Sequence, residues 1–265
     1  MIHKLFILFF LGIFSFSVYG QDSLAYKSKW QTRFLFGANI PMTKLLQGAE
    51  TDYLCQYDDN SYYWQILSIS YFFHKHWGLE FNYQAGTSNR IRKRNDNFIA
   101  NMQSQYSDTY YVNAGTGAAY DDFNFIGGDI QRGYLGVVYR FETNRFYVYP
   151  KFAIGVISFY TDWGSADLKE KNSNIRSKVS YSSGKRPNNH FTFAPSVSFG
   201  YKISKRFFLN ADIMFSYYKT NIVFEKEFTN LYTNERIVEY FDYKKGISTL
   251  SLGAGLILVI IHYKK

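Results

Sequence analysis

The chain holds a single cysteine, Cys55, so no disulfide can form within it. Tyr and Asp surround it and no histidine lies near it in sequence, which points to an incidental thiol rather than an activated nucleophile. Neither a phosphate-binding glycine loop nor a paired-cysteine metal motif occurs. Long hydrophobic runs are scarce as well. Past residue 20 the longest is 252–261, broken by Gly253 and Gly255 and short of the ~18 apolar residues that a spanning helix needs. A chain of this kind can cross a membrane only as a closed barrel, because backbone groups left unpaired in lipid are too costly.

What is abundant is aromatic. With 25 Tyr and 26 Phe against only 4 Pro, the composition suits pleated strands and an all-β chain. So many rings exceed what a modest core can hold, and a membrane interface is one place where amphipathic rings settle. The formal charge is +9 and the pI about 9.3, yet the basic residues form no stripe, so nucleic acid is not expected as a partner. Positive charge at an outer surface would pair instead with lipopolysaccharide phosphates. Residues 1–20 read as an export signal: Lys4, an apolar run over 5–16, then Val18 and Gly20 at the −3 and −1 positions, leaving Gln21 first. No lipobox cysteine follows. The expected division is a signal peptide at 1–20, a short periplasmic segment at 21–28 and a barrel domain at 29–263.

Period-2 alternation recurs in segments near the length of a transmembrane strand. In 191–202, Phe191, Phe193, Pro195, Val197, Phe199 and Tyr201 make one face, and Thr192, Ala194, Ser196, Ser198, Gly200 and Lys202 the other. Segments 77–86, 146–158 and 207–217 repeat the pattern, and 29–40, 62–73, 131–142 and 247–263 bring the expected strands to eight. Pro150 and Pro195 should cause bulges or a local loss of pairing. Three expected connections are short (73–76, 142–145 and 203–206) and four are long (41–61, 87–130, 159–189 and 219–246), alternating along the chain. Within the last long one, 222–228 and 235–241 look like hairpin arms extending above the membrane. The fold expected is an eight-stranded antiparallel up-and-down transmembrane β-barrel with short periplasmic turns, long extracellular loops and both termini periplasmic. A soluble β-sandwich, the rival, gives no reason for every second loop to be long.

The expected interior carries Arg33, Glu80, Arg132, Arg140, Glu142, Lys151, Lys202 and Asp212. Side chains nearly fill a barrel this narrow, so the charges should pair into a salt-bridged plug rather than line an ion path. The loop 87–130 begins with Arg90, Arg92, Lys93 and Arg94 and continues with Tyr and Asn, which suits either a contact surface or a solvated loop. Catalytic parts are poorly marked. His190 with Ser182 or Ser183, the isolated His262, the pairs Asp58–Asp59 and Asp121–Asp122, and His74 with His76 are the candidates, and none has the spacing of a known constellation. The chain is therefore expected to be non-enzymatic, without cofactor or metal, with outer-membrane lipid, lipopolysaccharide, the outer-membrane assembly machinery and an envelope protein as partners.

Three features resemble one family: the signal peptide ending in Gly20 and Gln21, the run Tyr71-Phe72-Phe73-His74-Lys75-His76-Trp77-Gly78-Leu79-Glu80, and the Gly-rich last strand. Together they resemble the outer-membrane β-barrel domain family abundant in Bacteroidota, which includes PorT-like proteins and small eight-stranded barrels. Ser251, Gly253, Leu256 and Leu258 also resemble an assembly-machinery recognition signal, although the chain ends Tyr263-Lys264-Lys265 rather than on an aromatic. The resemblance implies a barrel that presents its loops for binding or envelope maintenance. Its alternatives are a part in a PorT-like secretion apparatus or a lipid-acting enzyme.

Overall fold

In a computed structural model, the structure describes residues 29–43, 61–88, 91–117, 130–159, 163–183 and 188–260. The export signal, the segment 21–28, Cys55, Arg90 and His262 lie outside them, as do both Asp pairs. Large apolar side chains alternate with small or polar ones through most segments, and that pattern sets the fold. The described strands are β1 (Trp30–Pro41), β2 (Ser61–Phe72), β3 (Trp77–Ser88), β4 (Tyr110–Gly117), β5 (Ile130–Tyr139), β6 (Phe141–Glu142), β7 (Phe146–Phe159), β8 (Trp163–Glu170), β9 (Arg176–Ser183), β10 (Asn188–Lys202), β11 (Phe207–Asn230) and β12 (Arg236–Ile260). One helix, α1 (Ile91–Tyr106), follows β3. All pairings are antiparallel, and the sheet has 12 strands rather than the eight expected.

The sheet closes on itself. β1 pairs with β2, then β3, β5, β7, β10, β11 and β12 follow in turn, and β12 pairs back onto β1. The connections 73–76, 143–145 and 203–206 are short and lie at one end of this ring. Beyond its other end, β11 and β12 run on as a hairpin from Lys219↔Gly246 to Thr229↔Arg236, and β9, β8 and β4 add to the β11 side. These upper strands and α1 form a head above the barrel. The expected loops 87–130 and 159–189 are thus corrected: the first holds α1 and β4, the second β8 and β9. Phe98, Met102 and Tyr106 recur every fourth residue, which puts them on one helix face, and all three join the apolar cluster of the head.

Proline acts where expected. Without an N–H, Pro150 cannot donate to the ladder, and the β5–β7 pairing stops at Val138↔Lys151, resuming as β6 at Phe141↔Val148. Opposite Pro195, the β10–β11 pairing skips from Phe193↔Tyr217 to Ser196↔Met214. The register shifts fall elsewhere, between Thr32 and Leu35 on β1 and between Gln65 and Leu67 on β2, with no proline to signal them.

The ring turns its apolar side outwards. Phe34 is 53% exposed, Phe36 61%, Leu135 57% and Phe191 66%, whereas Arg33, Arg132 and Arg140 are each 1% exposed. Inside, large residues lie over small ones on the neighbouring strands. Tyr63 lies against Gly37, Gly253 and Gly86, where an added Cβ at Gly37 would come within 2.6 Å of its ring. At Gly253 the added Cβ would meet the Tyr63 hydroxyl before anything else. Gly253→Ala is therefore expected to cost about 1–3 kcal/mol by overpacking. The same change in a Tyr63→Phe background should cost markedly less, as urea titration of the refolded barrel would read. An equal loss in both backgrounds would refute the contact.

Candidate functional site: the charged interior

β-strand pleating brings inward the residues that alternate with the apolar band, and here these include most of the interior charges. Arg33 on β1 forms a salt bridge with Glu80 on β3. Its Nη1 donates to Ser198 Oγ on β10 at 2.9 Å. Ser198 Oγ donates to Asp212 Oδ1 on β11 at 3.0 Å, and Lys151 Nζ on β7 reaches Asp212 Oδ2 at 3.2 Å and Glu80 Oε1 at 3.3 Å. The chain of contacts thus returns to its start: Arg33, Ser198, Asp212, Lys151, Glu80. Ser70 on β2 joins it, donating to Glu80 Oε2 at 2.8 Å and accepting from Arg33 Nη2 at 3.2 Å. Two cations and two anions cancel, and each is 7% exposed or less. Six strands of the ring are tied at one level, by groups whose partners come mostly from non-adjacent strands.

The remaining expected residues fall into two other groups. Towards the short-turn end, Lys202 Nζ donates to Glu142 Oε2 and to Thr143 O, both at 2.7 Å, and the Tyr149 hydroxyl donates to the same carboxylate. Arg140 donates to Lys75 O from Nε at 3.1 Å and from Nη2 at 2.9 Å, and its guanidinium sits 4.0 Å from the Phe72 ring centroid. This group holds the short turns to the wall. Towards the long-loop end, Arg132 Nη1 donates to Asn39 Oδ1 at 2.7 Å, which also accepts from Ser251 Oγ at 2.6 Å. Sequence reasoning marked the charges but missed Ser70, Ser198, Asn39 and Tyr149 as the groups that complete their hydrogen bonds. Their inward period-2 positions were the only signal.

Apolar layers bound the charges. On the short-turn side Phe72, Val138, Tyr147, Tyr149, Phe208, Ile257 and Val259 cluster. On the other side Ile130, Ile157, Phe159, Tyr218 and Ile247 from the barrel mouth form one cluster with Phe98, Met102, Leu168, Val179 and Tyr181 of the head. The head core and the residues of the barrel mouth form one continuous cluster, so the head packs onto the mouth.

The catalytic candidates are not assembled. The His190 ring stacks on Tyr218 at 5.7 Å and tilts against Phe159 at 5.1 Å, with Nε2 3.5 Å from Thr220 Oγ1. Ser183 pairs with Phe224, four residues further along β11 than Thr220 and so roughly 13 Å away along the strand. The rings of His74 and His76 are 6.3 Å apart, and His76 Nδ1 lies 3.0 Å from Arg140 O. Among the described residues no group of three His, Cys, Asp or Glu is placed to hold a metal. Arg92, Lys93 and Arg94 fall in the first turn of α1, and Arg90 outside the described residues.

No protein-family model matches the sequence, and no curated protein does. The resemblance to PorT-like barrels therefore finds no counterpart in those comparisons. Several solved structures are similar at a coarse level. A major outer membrane protein from Thermus thermophilus shares 10% identity over 87% of this chain and 99% of its own, with a TM-score of 0.42. The outer membrane protein AlkL in lipid bilayers shares 13% over 94% of this chain and 98% of its own, with a TM-score of 0.35. The outer membrane protease OmpT from Escherichia coli shares 8% over 91% of this chain and 99% of its own, with a TM-score of 0.31. Likeness this loose leaves the reading of this chain to its own geometry. It does correct one expectation: a protease stands among the similar structures, so the expectation of a non-enzymatic chain is withdrawn. Nothing in that likeness is a positive sign of activity here.

Proposed function

We propose that the protein is an integral outer-membrane barrel whose ring of eight strands spans the lipid and carries a sheet-and-helix head at the cell surface. The observation that carries this is the inversion of the barrel wall: large apolar side chains are exposed all round, and charges are buried within. On β11 the outward apolar residues run from Phe207 to Tyr217 and then give way to Lys219 and Asn221. Those ten steps span roughly 33 Å of strand and, at a tilt of about 40°, roughly 25 Å of height, the thickness of an outer-membrane apolar band. In water that band would be a large exposed patch of the kind soluble monomers avoid.

The interior serves as a salt-bridged plug in this reading, and the head as a contact element. Tyr111, Trp163 and Tyr240 are exposed on the face of the head sheet that is turned away from its core, and rings so placed favour binding. Residues 1–20 act as the export signal, and 21–28 stay in the periplasm with the short turns. In a Cys55→Ser background, a cysteine at Lys178 in the head should react with an impermeant maleimide on intact cells. A cysteine at Asn144 in a short turn should react only after lysis. Labelling of Asn144→Cys but not Lys178→Cys would reverse the topology, and recovery of the folded chain without detergent would overturn the membrane reading.

A further inference from the structure

The net charge of +9 is unevenly placed. At the short-turn end, each corner of the ring carries an exposed cation: Lys29 ahead of β1, Lys75 between β2 and β3, Arg145 between β6 and β7, and Lys205 with Arg206 between β10 and β11. The carboxylate described there is Glu142, which is 3% exposed and already bonded to Lys202 and Tyr149. Every exposed carboxylate among the described residues lies at the other end, in the head, where ion pairs such as Arg236–Glu227 at 2.8 Å and Lys226–Glu239 at 3.7 Å mix the signs. The cationic ring is thus a feature of one rim and not of the surface at large.

Just inside that rim lies a belt of paired rings on the outer wall. Trp30 and Tyr71 are 4.6 Å apart between centroids, Trp77 and Tyr139 4.7 Å, and Phe146 and Tyr201 5.4 Å. Aromatic rings of this kind sit at headgroup level. Lys29, Lys75 and Arg145 lie one or two residues beyond these rings, and Lys205 and Arg206 lie in the turn that follows Tyr201, so all are held at the depth of the phosphates, where long basic side chains can extend along the interface. We infer that the short-turn rim binds the phosphates of acidic phospholipids in the leaflet it faces. This rests on the membrane reading above. It adds a lipid class and a set of residues: Lys29, Lys75, Arg145, Lys205 and Arg206 attract a monoanionic diester headgroup over a zwitterionic one, and among the described residues no exposed carboxylate at that rim offsets them.

The test uses the full chain refolded in phosphatidylcholine vesicles containing spin-labelled phosphatidylglycerol or spin-labelled phosphatidylcholine. The fraction of motionally restricted label gives the relative association of the two lipids. The wild type should prefer phosphatidylglycerol by about fivefold or more, the effect of even one cation held at an anionic surface. High salt should remove most of that preference in the wild type itself, with no substitution needed. Lys29→Gln, Lys75→Gln, Arg145→Gln, Lys205→Gln and Arg206→Gln combined should bring it near unity, and a preference that survives in this variant would overturn the inference. Lys219→Gln with Lys244→Gln, exposed cations beyond the other end of the apolar band, should leave it in place. An equal association of both lipids with the wild type, or loss of the preference in the Lys219/Lys244 variant alone, would overturn the inference. Absence of any restricted component for either lipid would instead sink the membrane reading beneath it.

Discussion

Glu80→Gln is expected to destabilise the folded barrel by about 3–5 kcal/mol, the cost of leaving a buried charge without its partner. Glu80 is 5% exposed and accepts from Arg33, Lys151 and Ser70. Without its charge, Asp212 alone faces two buried cations, and Arg33 reaches it only through Ser198. A glutamine keeps the volume and one acceptor, so the loss is one of charge balance and not of packing. The sign of the effect separates two ideas about the cluster. If the four charges form a closed, neutral unit, adding Lys151→Met to Glu80→Gln removes one cation along with one anion, and most of the lost stability should return. If Lys151 instead serves a hydrated path, the double variant should be no better than the single one. Urea titration of the four members of this cycle in the same lipid, followed by tryptophan fluorescence, gives the coupling directly.

The plug was legible in outline because strand pleating fixes the face of a residue from its parity alone. That Arg33, Glu80, Lys151 and Asp212 turn inwards follows from the bulky neighbours that alternate with them. Which charge meets which does not follow. Arg33 meets Glu80 across β2, and Lys151 meets Asp212 across β10, because strand tilt sets the height at which inward residues face one another. The shifts at Thr32/Leu35 and Gln65/Leu67 alter that height without any residue that announces them. Pro150 and Pro195, by contrast, act through a missing donor, a property of the residue itself, and their effect on the ladders could be read in advance.

The head was the part least visible. β4 reads Tyr110, Tyr111, Val112, Asn113, Ala114, Gly115, and β8 reads Trp163, Gly164, Ser165, Ala166, Asp167, Leu168, so each mixes small residues with large ones and neither shows the bulky alternation of the barrel strands. Small residues look like loop in sequence, yet here they give α1 room to approach: a Cβ added at Gly164 would come within 2.7 Å of the Phe98 ring. The helix itself carries a weak signal, since only Phe98, Met102 and Tyr106 mark its buried face amid polar residues. Near its start Asn95 tethers it, its Oδ1 accepting from Thr116 N at 2.9 Å and Thr116 Oγ1 at 3.0 Å. Short helices of this composition do not persist in water by propensity alone. Packing against β4 and β8 has to hold it, and that packing runs on into the barrel mouth.

Phe98→Ala is accordingly the second large effect. Phe98 is fully buried and meets Tyr181 edge-on at 6.1 Å. Truncating a buried phenylalanine costs about 3–5 kcal/mol, more than a sixteen-residue polar helix can recover from any other contact it makes. The loss should be local. The charged cluster lies on the other side of Ile130, Ile157, Phe159 and Ile247, and the barrel ladders are backbone pairings between strands that do not include the helix. In the variant, limited proteolysis should cut within 91–117 at least tenfold faster than in the wild type, since about 1.4 kcal/mol already gives a factor of ten in the open population. The urea midpoint of the barrel, read from its wall tryptophans, should stay close to that of the wild type. A barrel that melts together with the helix would show instead that head and wall form one cooperative unit, and that the packing at the mouth is part of what keeps the strands closed.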